Sequence, residues 1–424
     1  MRTSLKLKSA SCQLAYWEGG HLRIVNYLTR RTFAANPIAL DLMRFFFTPR
    51  RIQQALVEFS SYSRKSVADA ILKLIEAQLL LEYGSSEWQQ DRQVESLWKP
   101  WLPEGGFHFL TKDAPYIGGD WTEEQRASTL PKTPPPPAFK MIDDADPIAL
   151  PLQAVDQDIF FETLHARRTH RAFAKGKVSL GSVSKLLQTT WGVQGYFDTK
   201  SFGKLPYKTS PSGGARHPVE VYLMALRVDG LGAGMYHYQA RDHVLEKLPV
   251  KASARRAREY CADQAYAAEA AALFIMTAVF PRTMWKYHKA RAYRVVLLDA
   301  GHLCQTFCLT ATRIGLAPFS TAALKDTLIE QDLGIDGISE SVLYVAGVGL
   351  PAPIGRRSTP PRSETEHPVS GDDAVDLIAS ESEAGPKVWV AGGLAENVRI
   401  GSAGTPGAGR PSIRRGPPKE NGIS

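Results

Sequence analysis

The chain has 424 residues, 44% hydrophobic and 22% charged, a balance that excludes a fibrous or wholly disordered protein and allows two or three domains. No uninterrupted apolar run reaches the length of a membrane span, and the basic residues Arg2, Lys6 and Lys8 have no long apolar stretch behind them, so neither a span nor a signal peptide is expected. The net charge of +8 is uneven: residues 1–90 hold 12 Lys and Arg against 7 Asp and Glu, and residues 359–424 hold 7 against 9. The part that folds is therefore basic, which suits an anionic cofactor or an acidic peptide, with nucleic acid possible on charge alone.

The cysteines are Cys12, Cys261, Cys304 and Cys308, with no CxxC pair. That spacing fits neither a disulfide framework nor a zinc site, so buried thiols in a reducing cytoplasm are expected, and no metal.

Residues 1–95 read as a small separate module. Residues 12–17 and 21–27 are expected strands joined across Gly19 and Gly20. Residues 37–46 and 49–59 are expected short helices. A longer helix follows Ser63, a suitable N-cap, with Val67, Ile71, Leu74 and Ile75 at helical spacing. Residues 79–83 read as a strand ended by Gly84. Two strands, three helices and a strand resemble a winged helix, and more closely the leader-peptide-recognition domains of peptide-modifying enzymes. A DNA-binding winged helix is the rival, but the third helix carries only Arg64, Lys65 and Lys73 as cations, few for a recognition helix.

Residues 96–157 read as a connector, with a stiff polyproline stretch from Pro134 to Pro137 near the expected domain boundary. Residues 158–165 form an expected helix with Ile159, Phe160 and Leu164 apolar, and residues 180–190 a second with Val183, Leu186 and Leu187 inward. Residues 219–227 read as a strand, 235–246 as a hairpin, and 252–271 as an Ala-rich helix. Residues 273–280 are apolar without alternation, as in a central strand. Residues 293–314 are apolar nearly all round, the mark of a buried helix, and Gly315 ends it. Residues 341–347 are another strand. From residue 359 the chain is rich in Gly, Pro, Ser, Ala and Glu, and reads as a disordered tail.

Three stretches carry chemistry. Arg167, Arg168 and Arg171 surround Thr169, and fixed guanidinium forks plus a hydroxyl suit a phosphate monoester; a solvated basic helix end is the plain alternative. The loop Thr209-Ser-Pro-Ser-Gly-Gly-Ala-Arg-His-Pro218 lets backbone approach a flat ligand at Gly213 and Gly214, with Ser212, Arg216 and His217 as donors; a surface turn before a strand is its plain alternative. Lys286 and Tyr287 precede Asp299, Ala300, Gly301 and His302 of the long helix, where an exposed lysine in a turn is the plain alternative.

In this order, over about residues 158–357, these stretches resemble the SagB-type dehydrogenases, FMN-dependent azoline oxidases of thiazole- and oxazole-forming peptide pathways in the nitroreductase superfamily. Residues 107–113 are similar to a segment before that family's flavin domain, and Met235-Tyr236-His237-Tyr238 lies where it has a Tyr-x-Tyr strand. The resemblance implies an α+β, nitroreductase-like FMN domain over residues 158–358, dimeric through the helix at 293–314. It implies that Arg167, Arg168, Thr169 and Arg171 hold the phosphate and ribityl side of FMN, with Thr169 keeping the hydroxyl of the family's serine. Ser212, Gly213, Gly214, Arg216 and His217 would contact the isoalloxazine, and the backbone from Gly315 and Leu316 to Pro318 would point an N–H at N5. Gly349 and Arg356 or Arg357 would complete the phosphate site.

Lys286 and Tyr287 match the family's catalytic pair, either of which could take the ring proton. The implied reaction oxidises thiazoline or oxazoline to thiazole or oxazole in a ribosomal peptide, alongside a cyclodehydratase, in the cytoplasm, with dioxygen reoxidising the flavin. A nicotinamide-fed nitro or quinone reductase is one alternative, although no GxGxxG follows a strand. A peptide- or DNA-binding regulator with a vestigial flavin domain is another. His302 reads as a packed histidine and is not assigned.

Overall fold

A computed structural model describes residues 4–114 and 158–352, with residues 125, 128, 136–139, 148 and 150 between them. Of the expected polyproline boundary, Pro134 and Pro135 fall outside these residues, and Arg356, Arg357 and the tail from 359 wholly outside them.

Near the N-terminus, Lys6–Ser9 pairs antiparallel with Arg50–Arg51 on one side and Leu80–Glu82 on the other. The expected hairpin is present as Gln13–Glu18 and His21–Asn26, turning at Gly19 and Gly20, both at positive φ. A third strand, Arg31–Ala35, extends it. The sequence pattern hid this strand because its turn contains no glycine; Arg30 takes the left-handed conformation instead, at φ 60°. Helices Pro37–Phe45, Ile52–Glu58 and Arg64–Glu76 pack over Leu7, Leu42, Phe46 and Leu80. Ser63 caps the third, its Oγ accepting from Ser66 N–H at 3.1 Å. The second begins only at Ile52, since Arg50 and Arg51 are held in the sheet.

The module is not set apart. Helix Ser86–Trp98 runs through residue 95, and the described residues from 4 to 352 fall in one compact unit. Cys12 and Tyr27 of the module, Trp98, Trp101 and Phe109 of the next stretch, and Phe280, Met284, Ala292 and Val296 share one buried cluster.

The main sheet is antiparallel throughout. Its order is Val244–Leu248, Gly234–Gln239, Val219–Ala225, Ala272–Val279, Glu340–Pro351 and Ala317–Thr321, with Phe173–Ala174 on the end of Glu340–Pro351. Ala272–Val279 is central and lacks alternation because helices cover both faces. Helices Ala292–Arg313 and Leu180–Thr190 pack on one face, through Val183, Leu187, Phe274 and Phe307. Ala254–Tyr260, Ala265–Glu269 and Asp326–Leu333 pack on the other. The first two were expected as a single helix, but Ala262 and Asp263 take positive φ and divide it.

The core helix Ala292–Arg313 is long and apolar enough to cross a membrane by composition, yet Val296, Ala300, Leu303, Phe307 and Ala311 are buried in the protein core. It is not covered all round, as expected from its pattern: Leu297 and Leu298 are 42% and 60% exposed in the single chain. Helix Ile159–Ala166 likewise presents Ile159, Phe160 and Phe161 to solvent.

Candidate active site

The loop before Val219–Ala225 is tied down by one carboxylate. Ser212 Oγ donates to Asp299 Oδ2 at 2.5 Å, and Gly213 N–H donates to Asp299 Oδ1 at 3.2 Å. His217 N–H in turn donates to Ser212 Oγ at 2.9 Å. Burial pushes the Asp299 carboxyl up, against the two hydrogen bonds that favour its ionised form. From the other side, Arg282 Nη1 donates to His217 O at 3.1 Å and pairs with Glu220. Burial raises the Glu220 carboxyl, but His237 and Arg282 outweigh it and hold it low. His217 Nε2 lies 3.2 Å from Pro206 O, which makes it the protonated nitrogen. Burial, with Lys208 and Arg282 nearby, pushes the His217 pKa down to about 4, so the ring is neutral at pH 7.

Lys286 and Tyr287 lie directly on Gly214 of this loop. Gly214 is at φ 64°, and a Cβ there would overlap Tyr287 Oη and come 2.8 Å from Lys286 Nζ. A Cβ on Gly213 would overlap Val295. The approach needs both glycines, one for space and one for space and backbone angle. Lys286 is half-buried, its Nζ 4.2 Å from the Phe202 ring centroid. Phe202 sits in the turn between Gly195–Thr199 and Gly203–Tyr207, a hairpin that the sequence pattern did not reveal. It also packs edge-on against Trp285 at 6.0 Å. Arg216 and His217, expected at the flavin edge, have partners here: the Arg216 guanidinium lies 4.8 Å over Trp285, and its Nε donates to Arg282 O at 3.0 Å.

A second group forms around the end of the core helix. Helix Ile159–Ala166 ends at Arg167, and Arg168 Nη1 donates to His165 O and Arg167 O, each at 2.7 Å. Arg168, Thr169 and Arg171 are exposed, with the Arg171 guanidinium 5.7 Å over Tyr266. His170 N–H donates to Pro318 O at 2.9 Å, Ala317 pairs with Gly349, and Pro351 pairs with Phe173. Arg167, Arg168, Thr169, Arg171, Leu316 and Gly349 are thus gathered by one set of strands. Gly315 takes φ 76° to turn the chain there. A Cβ on Gly349 would lie 2.6 Å from the Phe173 ring.

The two groups attach at different heights on the core helix, the loop at Asp299 and Arg167 near Cys308. Nine residues at the helical rise separate them by about 13 Å. Among the described residues no hydrogen bond or ion pair joins them. Three contributors went unassigned from sequence: Asp299, Phe202 and Trp101, whose indole N–H donates to Tyr287 O at 2.8 Å. Asp299 had a signal, as the lone acidic residue of the helix. Among the described residues no group of His, Cys, Asp and Glu gathers for a metal, and all four cysteines are free.

A bare glycine turn beside a lysine and a tyrosine, and a set of exposed guanidinium forks beside a threonine, suit a flat ring and a phosphate. Residues 164–350 match the nitroreductase family. The match makes this stretch a nitroreductase-like domain; proteins of that family are flavin-dependent. Beyond the domain, the chain is 26% identical over 326 residues to the trifolitoxin-processing protein TfxB of Rhizobium leguminosarum bv. trifolii, covering 73% of this chain and 86% of TfxB. It is also 26% identical over 182 residues to the microcin B17-processing protein McbC of Escherichia coli, covering 41% of this chain and 63% of McbC. Among solved structures, the E. coli microcin synthetase McbBCD complex with truncated pro-MccB17 bound matches with a TM-score of 0.41 at 20% identity, over 61% of this chain and 98% of that one.

Proposed function

We propose that this protein oxidises thiazoline or oxazoline rings to thiazole or oxazole in a ribosomally made peptide, with FMN as cofactor. The observation that carries the reading is the placement of Lys286 Nζ and Tyr287 Oη on the bare backbone of Gly214. The two relatives named for processing trifolitoxin and microcin B17 support a peptide as substrate.

The residues fit the cofactor. Arg167, Arg168, Arg171 and Thr169 would hold its phosphate, and the Ser212–Gly214 turn would lie against its ring. FMN held there would supply a hydride acceptor for the azoline Cβ–H, with dioxygen as the final electron acceptor. Lys286 Nζ or Tyr287 Oη takes the Cα proton, and the second of the pair orients the ring by a hydrogen bond. Asp299 holds the turn in place through Ser212 and Gly213, so the loop is ordered before substrate arrives.

The part of the peptide remote from the reacting ring is held by the N-terminal module. Strand Arg31–Ala35 is the edge of its sheet, and a groove of about 890 Å³ separates it from helix Arg64–Glu76. Phe33, Ile38, Tyr62, Ala70 and Leu74 line the groove. An extended leader segment would add a strand to that edge and place side chains in the groove. Arg31 and Lys73 stand beside Asp69 and Glu76 there, so apolar contact rather than an acidic leader would govern binding. The exposed Leu297 and Leu298 suit a second copy of the chain, and the cytoplasm and a cyclodehydratase partner follow from the same reading. The test is incubation of FMN-loaded protein with an azoline-bearing peptide in air, without a nicotinamide. Each ring should lose two hydrogens; turnover only with NAD(P)H and a nitro or quinone acceptor would favour a plain reductase.

A further inference from the structure

The turn that carries Lys286 and Tyr287 is capped by a residue far away in sequence. Helix Phe280–Met284 is short, and Lys286 N–H and Tyr287 N–H both bond back to Thr283 O, at 3.1 and 2.9 Å. Carbonyls at such a helix end lack a donor in the next turn. Trp101, fully buried, supplies one to Tyr287 O at 2.8 Å. Its ring lies 6.4 Å from Phe280, which opens the helix before the turn, and 6.2 Å from Tyr293 in the helix after it. Trp101 also packs edge-on with Trp98 at 5.6 Å, and Trp98 with Phe109 at 4.9 Å. Phe109 meets Tyr27 of the N-terminal hairpin stretch at 6.2 Å.

We propose that Trp101 is a positioning residue for Lys286 and Tyr287, and that through it the N-terminal module is part of the active site's framework rather than a detachable docking piece. The proposal rests on the assignment of Lys286 and Tyr287 above. Tyr287 is fixed on one side by Gly214 under its hydroxyl and on the other by the Trp101 indole at its carbonyl. With the indole N–H removed, a carbonyl in a buried cluster loses its partner and the turn shifts to recover one. A displacement of about 1 Å at reacting groups costs up to about 100-fold in rate.

Trp98 provides an internal control. It is equally buried and donates its own indole N–H to Ile338 O at 3.0 Å, away from the catalytic turn. Trp101→Phe and Trp98→Phe therefore each remove one indole bond from the same cluster. In the FMN-loaded full chain, Trp101→Phe should lower kcat about tenfold with KM within twofold and FMN content unchanged. Amide exchange over residues 284–292 should quicken. Trp98→Phe should lower Tm but change kcat and that exchange much less than Trp101→Phe does. Equal kcat loss in the two variants, or unchanged exchange of the turn in Trp101→Phe, overturns the proposal. If Trp101→Phe does not fold, Gly105→Ala presses a Cβ to 3.0 Å from Trp101 O and Trp98 Cε3, and the same kcat loss and faster exchange are expected, with neither overturning it. A wild-type protein that oxidises no azoline removes the functional reading, and the exchange comparison then decides this proposal alone.

Discussion

Asp299 Oδ2 accepts the Ser212 hydroxyl at 2.5 Å while its Oδ1 accepts the Gly213 N–H, so one carboxylate sets the shape of the loop proposed to face the flavin. Asn keeps the size but only one accepting oxygen, and turns an NH₂ toward one of the two donors. Asp299→Asn should weaken FMN binding by about 1–3 kcal/mol, measured by flavin fluorescence titration. An unchanged affinity would show that the loop does not depend on this carboxylate.

Gly214→Ala tests the contact from the other direction. The new Cβ would overlap Tyr287 Oη and meet strain at φ 64°. Left-handed backbone costs a non-glycine residue about 1–2 kcal/mol, so the fold should survive with a lower Tm. Azole formation should fall steeply because Lys286 and Tyr287, the proposed catalytic pair, must move. Retained activity would mean that Lys286 and Tyr287 need not rest on this backbone.

Arg168→Ala removes a fork from the residues proposed to hold the FMN phosphate and should weaken FMN binding by about 1.5–3 kcal/mol. The loss should ease as salt rises, as expected for a charge-assisted contact. Equilibrium dialysis at two salt concentrations measures both. The same variant loses the bonds to His165 O and Arg167 O, so its Tm is to be recorded alongside.

The contact between Asp113 and helix Asp326–Leu333 should respond to pH. Burial raises Asp326 to about 6, and the neighbouring Asp113 and Glu330 add to it. Asp326 Oδ2 also accepts from Asp113 N–H at 3.0 Å. A carboxyl raised on folding stabilises the fold below its unfolded pKa, and that contribution is lost as pH rises through about 6. The rise from the ordinary carboxylate value to about 6 corresponds to at most about 3 kcal/mol. Urea midpoints from pH 4 to 8 should therefore decline less with pH in Asp326→Asn, with the variant the more stable at pH 8. Parallel curves would contradict the shift.

Much of this arrangement was legible in the sequence because its signals are local. Helical spacing around Val67 and Val183, the Ser63 cap, the Gly315 stop and the unbroken apolar run at Ala272–Val279 all express neighbours within one or two turns. The residues proposed for the phosphate could be named as a set because Arg167 to Arg171 are adjacent. What stayed hidden depends on partners far along the chain. Asp299 meets Ser212 across 87 residues and Trp101 meets Tyr287 across 186, and no period of 2 or 3.6 encodes such pairings. The separate module was an inference from element order, and the shared cluster of Tyr27, Trp98, Phe109 and Phe280 could not be read from it.

The central claim is that Lys286 and Tyr287 act on a peptide azoline over a bound flavin. The most direct measurement follows azole formation by mass in wild type, Lys286→Ala and Tyr287→Phe, each with FMN content determined. The account predicts equal flavin content in all three. Wild type should lose two hydrogens per ring, and the variant lacking the base should be about 10²–10⁴-fold slower. Wild-type rates in both variants, or no oxidation by a flavin-loaded wild type, would contradict it.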